Sequence, residues 1–199
     1  VVAVDGKTET IMWSQEVNLY NEMGVVTMEC ETWNSPTLGF FTSLDSPDVF
    51  VHFISGKWPN YDSTYMAMIK GDTGDILWEN SSQYILGSNP LAIDTNNDNI
   101  DEIIVMLSGF DGTHMYVLDT TNLNFSIAYE ATNLSLSTPL ITDIDDNGDL
   151  DMILSTTSWY GTNETSHVMV RLAMNSKIPE NFSWTGYMGT YSDGHLWYD

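Results

Sequence analysis

Two short stretches of the chain carry oxygen-bearing side chains at alternate positions. One runs Asp94, Asn96, Asp98, Ile100, Glu102, and the other Asp143, Asp145, Asn147, Asp149, Asp151. Each has a carboxylate or amide oxygen at positions 1, 3, 5 and 9, and position 7 (Ile100 or Asp149) is free to offer its backbone carbonyl. Alternation at 1, 3 and 5 gathers three side chains inside one tight turn. Position 6 is Asn99 or Gly148, residue types that tolerate a left-handed backbone. Five protein oxygens plus water suit a hard cation with six or more flexible ligands, Ca²⁺ rather than Zn²⁺. Each loop brings three formal negative charges, from Asp94, Asp98 and Glu102 or from Asp143, Asp145 and Asp151. Packed together without a cation, these charges repel by several kcal/mol. The loops are not EF-hands, because position 12 is Val105 or Leu154 where a bidentate Glu is required. An Asp/Asn-rich turn also forms without an ion, since these residues favour turns. Two copies in register, each leading into an apolar strand, point to two calcium sites.

Other chemistry is sparse. No nucleophile elbow, phosphate-cradling glycine loop or zinc-spaced His/Cys cluster is present. His52, His114, His167 and His195 are scattered and read as strand residues. A carboxylate pair for glycoside chemistry stays open, although the clustered acids are better explained as ion ligands. The aromatic tail holds Trp184, Tyr187, Tyr191, Trp197 and Tyr198, which suit packing or a sugar or protein contact. Ser55 to Tyr65 reads as a long polar-aromatic connection suited to partner contact. Cys30 is the single cysteine and reads as a buried thiol, with a partner outside the segment as the alternative.

The acidic loops must be held by strands. Asp94 and Asp143 lie 49 residues apart, and their flanks correspond: SNPLAID with STPLITD before the loops, EIIVMLSG with DMILSTTS after them. An earlier degenerate copy, SPTLGFF followed by VFVHFISG, has lost most of its acidic loop between Asp45 and Asp48, so no ion is expected there. Hairpin patterns (strand, polar turn, strand with an aromatic) recur in DGKTETIMW, KGDTGDILW and DTTNLNFSIAY. One unit therefore holds about four strands, PLAID, EIIVMLS, MYVLD and FSIAYE in the best copy, which is the size of a propeller blade. The expected fold is all-β, one β-propeller segment over 1–199 with about four blades of four antiparallel strands, part of a larger ring. Repeats fall at roughly 14–69 (degenerate), 70–118 and 119–173, with 174–199 the aromatic-rich start of a further blade or a tail. An open solenoid or a tandem sandwich is the structural alternative.

AIDTNNDNIDEIIV and ITDIDDNGDLDMIL resemble the calcium loops of FG-GAP/VCBS repeats, the blades of integrin-α-like propellers. DGKTETIMW and GDTGDILW look like the hairpins of PQQ-like propeller repeats. The resemblance implies Ca²⁺ bound between the first two strands of a blade, with the loops on one rim of a ring. It also implies roles in cell-surface adhesion, ligand binding or assembly, sometimes beside catalytic domains. Asn99 departs from the glycine the family often has.

Composition bounds the remainder. The chain has 199 residues, 28 acidic against five basic, and a formal net charge of −23. Such a surface repels nucleic acid and anionic membranes. No run of 18 apolar residues offers a membrane span. The chain starts at Val1 without a signal-peptide pattern, which points to processing or to a piece of a longer protein. N-x-S/T acceptors at Asn80, Asn124, Asn133, Asn163 and Asn181 fall at expected turns or strand ends and suggest an extracellular or cell-surface glycoprotein. The expected function is a calcium-binding recognition, adhesion or assembly module with a protein or glycan ligand at the propeller rim, and assembly with a further chain or domains. The alternatives are the propeller of a polysaccharide lyase or hydrolase, a PQQ-type dehydrogenase, or a structural subunit of a surface filament.

Overall fold

The computed structural model describes residues 1–17, 19–20, 26–27, 30–57, 60–109, 111–131, 137–157 and 167–179. These residues form strands and no helix, so the chain is all-β as the short punctuated apolar runs indicate. An N-terminal hairpin joins β1 (Val2–Val4) to β2 (Ile11–Ser14), and a second, smaller one joins β3 (Leu19–Tyr20) to β4 (Val26–Thr27). Sheet I holds β5 (Cys30–Glu31), β6 (Thr37–Gly39), β7 (Asp48–Lys57), β8 (Asn60–Ile69) and β9 (Ile76–Ser82). Sheet II holds β10 (Ile85–Leu86), β11 (Leu91–Ile93), β12 (Glu102–Gly109), β13 (Gly112–Asp119) and β14 (Asn124–Ala131). Sheet III holds β15 (Leu140–Thr142), β16 (Asp149–Thr157) and β17 (His167–Lys177).

Among the described residues every ladder is antiparallel, and none of the sheets closes into a barrel. In sheet I, β5 and β6 pair with opposite halves of β7, so together they act as one interrupted edge strand beside β7–β8–β9. Sheet II repeats that plan, with β10 and β11 on the two halves of β12. The loop-closing strand starts match as well: Gly39 lies opposite Asp48, Ile93 opposite Glu102 and Thr142 opposite Asp151.

The sheets stack face to face. Side chains alternate across a strand, so a strand buried on both faces reads as a continuous apolar run, and β12 does. Its Ile103, Val105 and Leu107 meet Phe50, Met66 and Met68 of sheet I and Phe41 in the loop beyond β6. Its Ile104 and Met106 meet Ile141, Leu150, Met152 and Leu154 of the β15–β16 side of sheet III. The other face of sheet I, through Val51, Tyr65, Ala67 and Ile69, covers Trp13 of the N-terminal hairpin. The Trp13 indole N–H donates to the Gly71 carbonyl at 2.7 Å, and a Cβ on Gly74 (φ +81°) would strike that indole. The two ends of the stack stay apolar and open: Val2, Val4, Ile11 and Met12 on the hairpin, Leu140 and Met169 on sheet III are all exposed.

Polar atoms stitch one sheet to the next. The Ser35 N–H donates to Asn89 Oδ1 at 3.2 Å, and the Asn89 N–H in turn donates to Thr138 Oγ1 at 3.0 Å. Ser35, Asn89 and Thr138 all belong to the SPT, SNP and STP segments that precede the edge strands.

Two sequence expectations are corrected here. Ser55 to Tyr65 is not a long connection: β7 continues to Lys57 and pairs it with Asn60, so this stretch is the tip of a hairpin. Cys30 is exposed on β5 rather than buried, because it lies on a short outer strand opposite Ser55. No helix among the described residues is long and apolar enough to cross a membrane. The aromatic tail beyond residue 179, including Trp184, Tyr187, Tyr191, Trp197 and Tyr198, and His195 lie outside the described residues.

Candidate metal centres

Each acidic loop is a turn wound around its first carboxylate. In the loop between β11 and β12, Asp94 Oδ1 accepts the backbone N–H groups of Asn96, Asn97 and Asp98, and Oδ2 accepts that of Asn99 at 2.8 Å. Between β15 and β16, Asp143 accepts from Asn147 at 3.1 Å and from Gly148 at 2.8 Å. The Gly148 N–H, followed by its neighbours' amides, holds the Asp143 carboxyl below the usual range. Asn99 (φ 69°) and Gly148 (φ 83°) are left-handed as their types suggest, and so are Asn97 and Asp146 two positions earlier.

The second loop converges. Asp143, Asp145 and Asp151 each bring a carboxylate oxygen to within 4.8 Å of the others, a group that could hold a metal ion. Among the described residues no other set of three His, Cys, Asp or Glu does so. The donors are all hard oxygens with no nitrogen or sulfur among them, which fits a hard cation such as Ca²⁺. The other two positions behave differently. Asn147 turns its Oδ1 to the Asp149 N–H at 2.7 Å, and the Asp149 carboxylate pairs with Lys177.

A cation of the chain's own already touches this group. Arg171 on β17 reaches across: its Nε donates to Asp151 Oδ1 at 2.8 Å, and a terminal nitrogen bridges Asp151 Oδ2 and Asp145. The guanidinium hydrogen bond keeps the Asp151 carboxyl below its ordinary value, and the same contacts raise the Arg171 pKa. The Ile144 N–H also donates to Asp151 at 3.2 Å.

Among the described residues, the first loop has no basic partner. Glu102 is buried at 2% exposure, accepts the Thr95 N–H and hydroxyl on Oε2, and takes the Asn96 amide on Oε1 at 2.8 Å. Burial pushes the Glu102 carboxyl up to about 7, with Asp94 and Asp98 adding to the rise and the Thr95 bonds opposing it. Asn96 Oδ1 and Asp98 Oδ1 accept the N–H groups of Asp98 and Ile100, both at 2.9 Å. Asp94, Asp98 and Glu102 are therefore not drawn into a group as tight as the second one, and Ile100 sits half-buried behind them.

Asp101, which sequence spacing leaves unassigned, has a structural task. Its N–H donates to the Phe40 carbonyl at 3.0 Å, and its Oδ2 accepts the Phe40 N–H at 2.7 Å, clamping sheet II to sheet I. Truncating it strands a buried N–H, so Asp101→Ala should cost about 2 kcal/mol in denaturant unfolding, and Asp101→Asn, which keeps an acceptor, clearly less. Equal losses in both variants would remove the clamp. The signal was available: the matching position in the second loop is Leu150, an apolar residue buried at 0% exposure, so an acid at this place needs a partner.

His114 lies between Asp111 and Glu130, at 3.4 and 3.2 Å, and packs on Tyr84. His167 begins β17. Asn80, near the end of β9, and Asn124, opening β14, are both exposed. Asn133, Asn163 and Asn181 lie outside the described residues.

Compared with known protein-family models, curated proteins and solved structures, the chain matches none.

Proposed function

We propose that the chain is a segment of a calcium-stiffened β-propeller that acts outside the cell in recognition, adhesion or assembly rather than in catalysis. The observation that carries this reading is the all-oxygen group of Asp143, Asp145 and Asp151 at the mouth of a sheet's central strand. A loop of the same residue pattern opens the central strand of the neighbouring sheet. Calcium there ties the loop to the first residues of the strand and keeps the rim of each blade rigid. The face-to-face stack supports blades, and its two open apolar ends support an arc that further blades, on this chain or another, extend. The exposed acceptors Asn80 and Asn124 support an extracellular setting. Ligands in this reading are proteins or glycans at the loop rim, where the strong negative charge favours basic or neutral partners.

Thermal unfolding of metal-stripped protein with and without calcium tests it. An ion bound only to the native state at a hundredfold excess over Kd adds about 3 kcal/mol, a rise in Tm of roughly 8 °C for a chain of this size. A melting curve indifferent to millimolar calcium rejects the reading.

A further inference from the structure

The end of sheet I remote from Asp48 carries two aromatic rings fixed by one carboxylate. Glu31 lies on β5 opposite Ile54, and Tyr61 lies on β8 opposite Gly56, beside the hairpin tip where Lys57 pairs with Asn60. Glu31 Oε2 accepts the Trp33 indole N–H at 3.1 Å and the Tyr61 hydroxyl at 2.6 Å. The two rings stand edge to face, with centroids 5.1 Å apart and planes 80° to each other. Trp33 is nonetheless 46% exposed, whereas Trp13 and Trp78 pack into the layers between the sheets. An indole left in water ordinarily swings about its side-chain bonds. This one is held at its N–H and against a second ring, in a place where neither ring contributes to the described apolar layers.

We propose that Trp33, Tyr61 and Glu31 form two walls and the charged corner of a receptor for a quaternary ammonium group, of the choline or trimethyl-lysine type. A cation is drawn to the negative face of an aromatic ring, and tryptophan offers the strongest such face. Two rings near right angles to each other meet one small cation on two sides. The Glu31 carboxylate adds a negative charge beside them, and the chain's net charge of −23 draws cations toward the surface. Hydrogen-bonding capacity then selects among cations. Glu31 Oε2 already accepts two hydrogen bonds, and ring faces are poor acceptors, so a ligand bearing N–H groups would trade good bonds to water for poor ones. A sugar meets the same difficulty through its hydroxyls. A quaternary ammonium has no donor to satisfy and needs only ring faces and a field. Because both rings are already fixed, little side-chain freedom is lost on binding. The site lies at the opposite end of sheet I from the Asp48 end, where the acidic loops of the neighbouring sheets sit, and it does not depend on calcium.

Titration of the whole chain with choline chloride at constant total chloride tests the proposal. Two signals are followed: saturation transfer to the choline methyl protons, and the Trp33 indole N–H resonance, assigned by its loss in Trp33→Phe. Both should saturate together with a Kd on the order of 1 mM. The uncharged carbon isostere 3,3-dimethylbutan-1-ol should bind about tenfold more weakly or worse, because it fills the same space without the charge. Trp33→Ala should abolish saturation transfer, and Glu31→Gln, which keeps the acceptor and loses the charge, should weaken binding about fivefold. Trimethyl-lysine is titrated in parallel, and the tighter of the two probes identifies the source of the group. Should Trp33→Ala melt early, the isostere and Glu31→Gln comparisons carry the test on folded protein. Choline and its isostere binding alike would reduce the corner to an apolar patch and overturn the proposal. So would full binding by folded Trp33→Ala, or no saturable signal from either cation well above the expected Kd.

Discussion

Replacing Phe50 by alanine should lower stability by about 4 kcal/mol, the upper range for emptying a large aromatic site in a packed interior. Phe50 sits on β7 at 0% exposure, lies 6.3 Å from the Trp78 ring, and belongs to the layer that sheets I and II build together with Ile103, Val105 and Leu107. The ring fills space between two sheets that share no backbone ladder, so its loss leaves a void bounded by both. For a chain of this length the expected fall in Tm is roughly 12 °C. Met169, which is exposed at 77% on the open face of sheet III, is the control, and its alanine variant should unfold within about 0.5 kcal/mol of the parent. If Phe50→Ala costs less than about 1 kcal/mol in denaturant titration, sheets I and II do not bury one another and the stacked arrangement is wrong.

Acidification should expose a second weak point. His52 alternates with Phe50 and Ile54 on β7, so it faces the same layer between the sheets. It is 2% exposed, and neither ring nitrogen has a hydrogen-bond partner. Burial drives its pKa down from the ordinary 6.5 to about 4. The folded chain thus holds the ring neutral while the unfolded chain protonates it from about pH 6.5 downward. With the folded value depressed, stability is complete above pH 6.5 and declines as pH falls toward 4, by about 3 kcal/mol over that window. His52→Leu removes no hydrogen bond and should match or exceed the parent at pH 7. At pH 4.5 it should be clearly more stable, because it lacks the proton-linked loss. Denaturant titrations of both proteins at pH 7, 5.5 and 4.5 decide this, and parallel declines would show that the ring is not the group responsible.

Much of the secondary structure is legible in local chemistry. The runs LAI, EIIVMLS, MYVLD and FSIAYE lie on β11, β12, β13 and β14, because short apolar segments between Asp/Asn/Gly turns have few other ways to fold. Asn99 and Gly148 take the positive φ their types anticipate. Relations between strands are not legible in the same way. Arg171 meets Asp151 across a ladder whose register shifts between Asp149 and Asp151, and a one-residue slip would turn the guanidinium to the other face. Its pairing cannot be read from composition, because composition does not fix which strands meet or in what register. The β7–β8 tip misleads for a simpler reason. Beyond the last buried layer a strand gains nothing from apolar side chains, so Asn60, Asp62 and Ser63 look like loop while the backbone ladder continues to Lys57. Cys30 misleads because thiols are usually interior and β5 is an outer half-strand.

The stitch from Ser35 through Asn89 to Thr138 has a mechanical side. Apolar contact has no preferred direction, so greasy layers alone would let neighbouring sheets slide past one another at little cost. Hydrogen bonds demand distance and angle together, and here a donor of one sheet meets an acceptor of the next at 3.2 and 3.0 Å. These few atoms act as indexing pins: the greasy layers supply the grip, and the pins fix where each sheet stops sliding. Together with the Asp101–Phe40 clamp between sheets I and II, they resist any displacement of one sheet along the next.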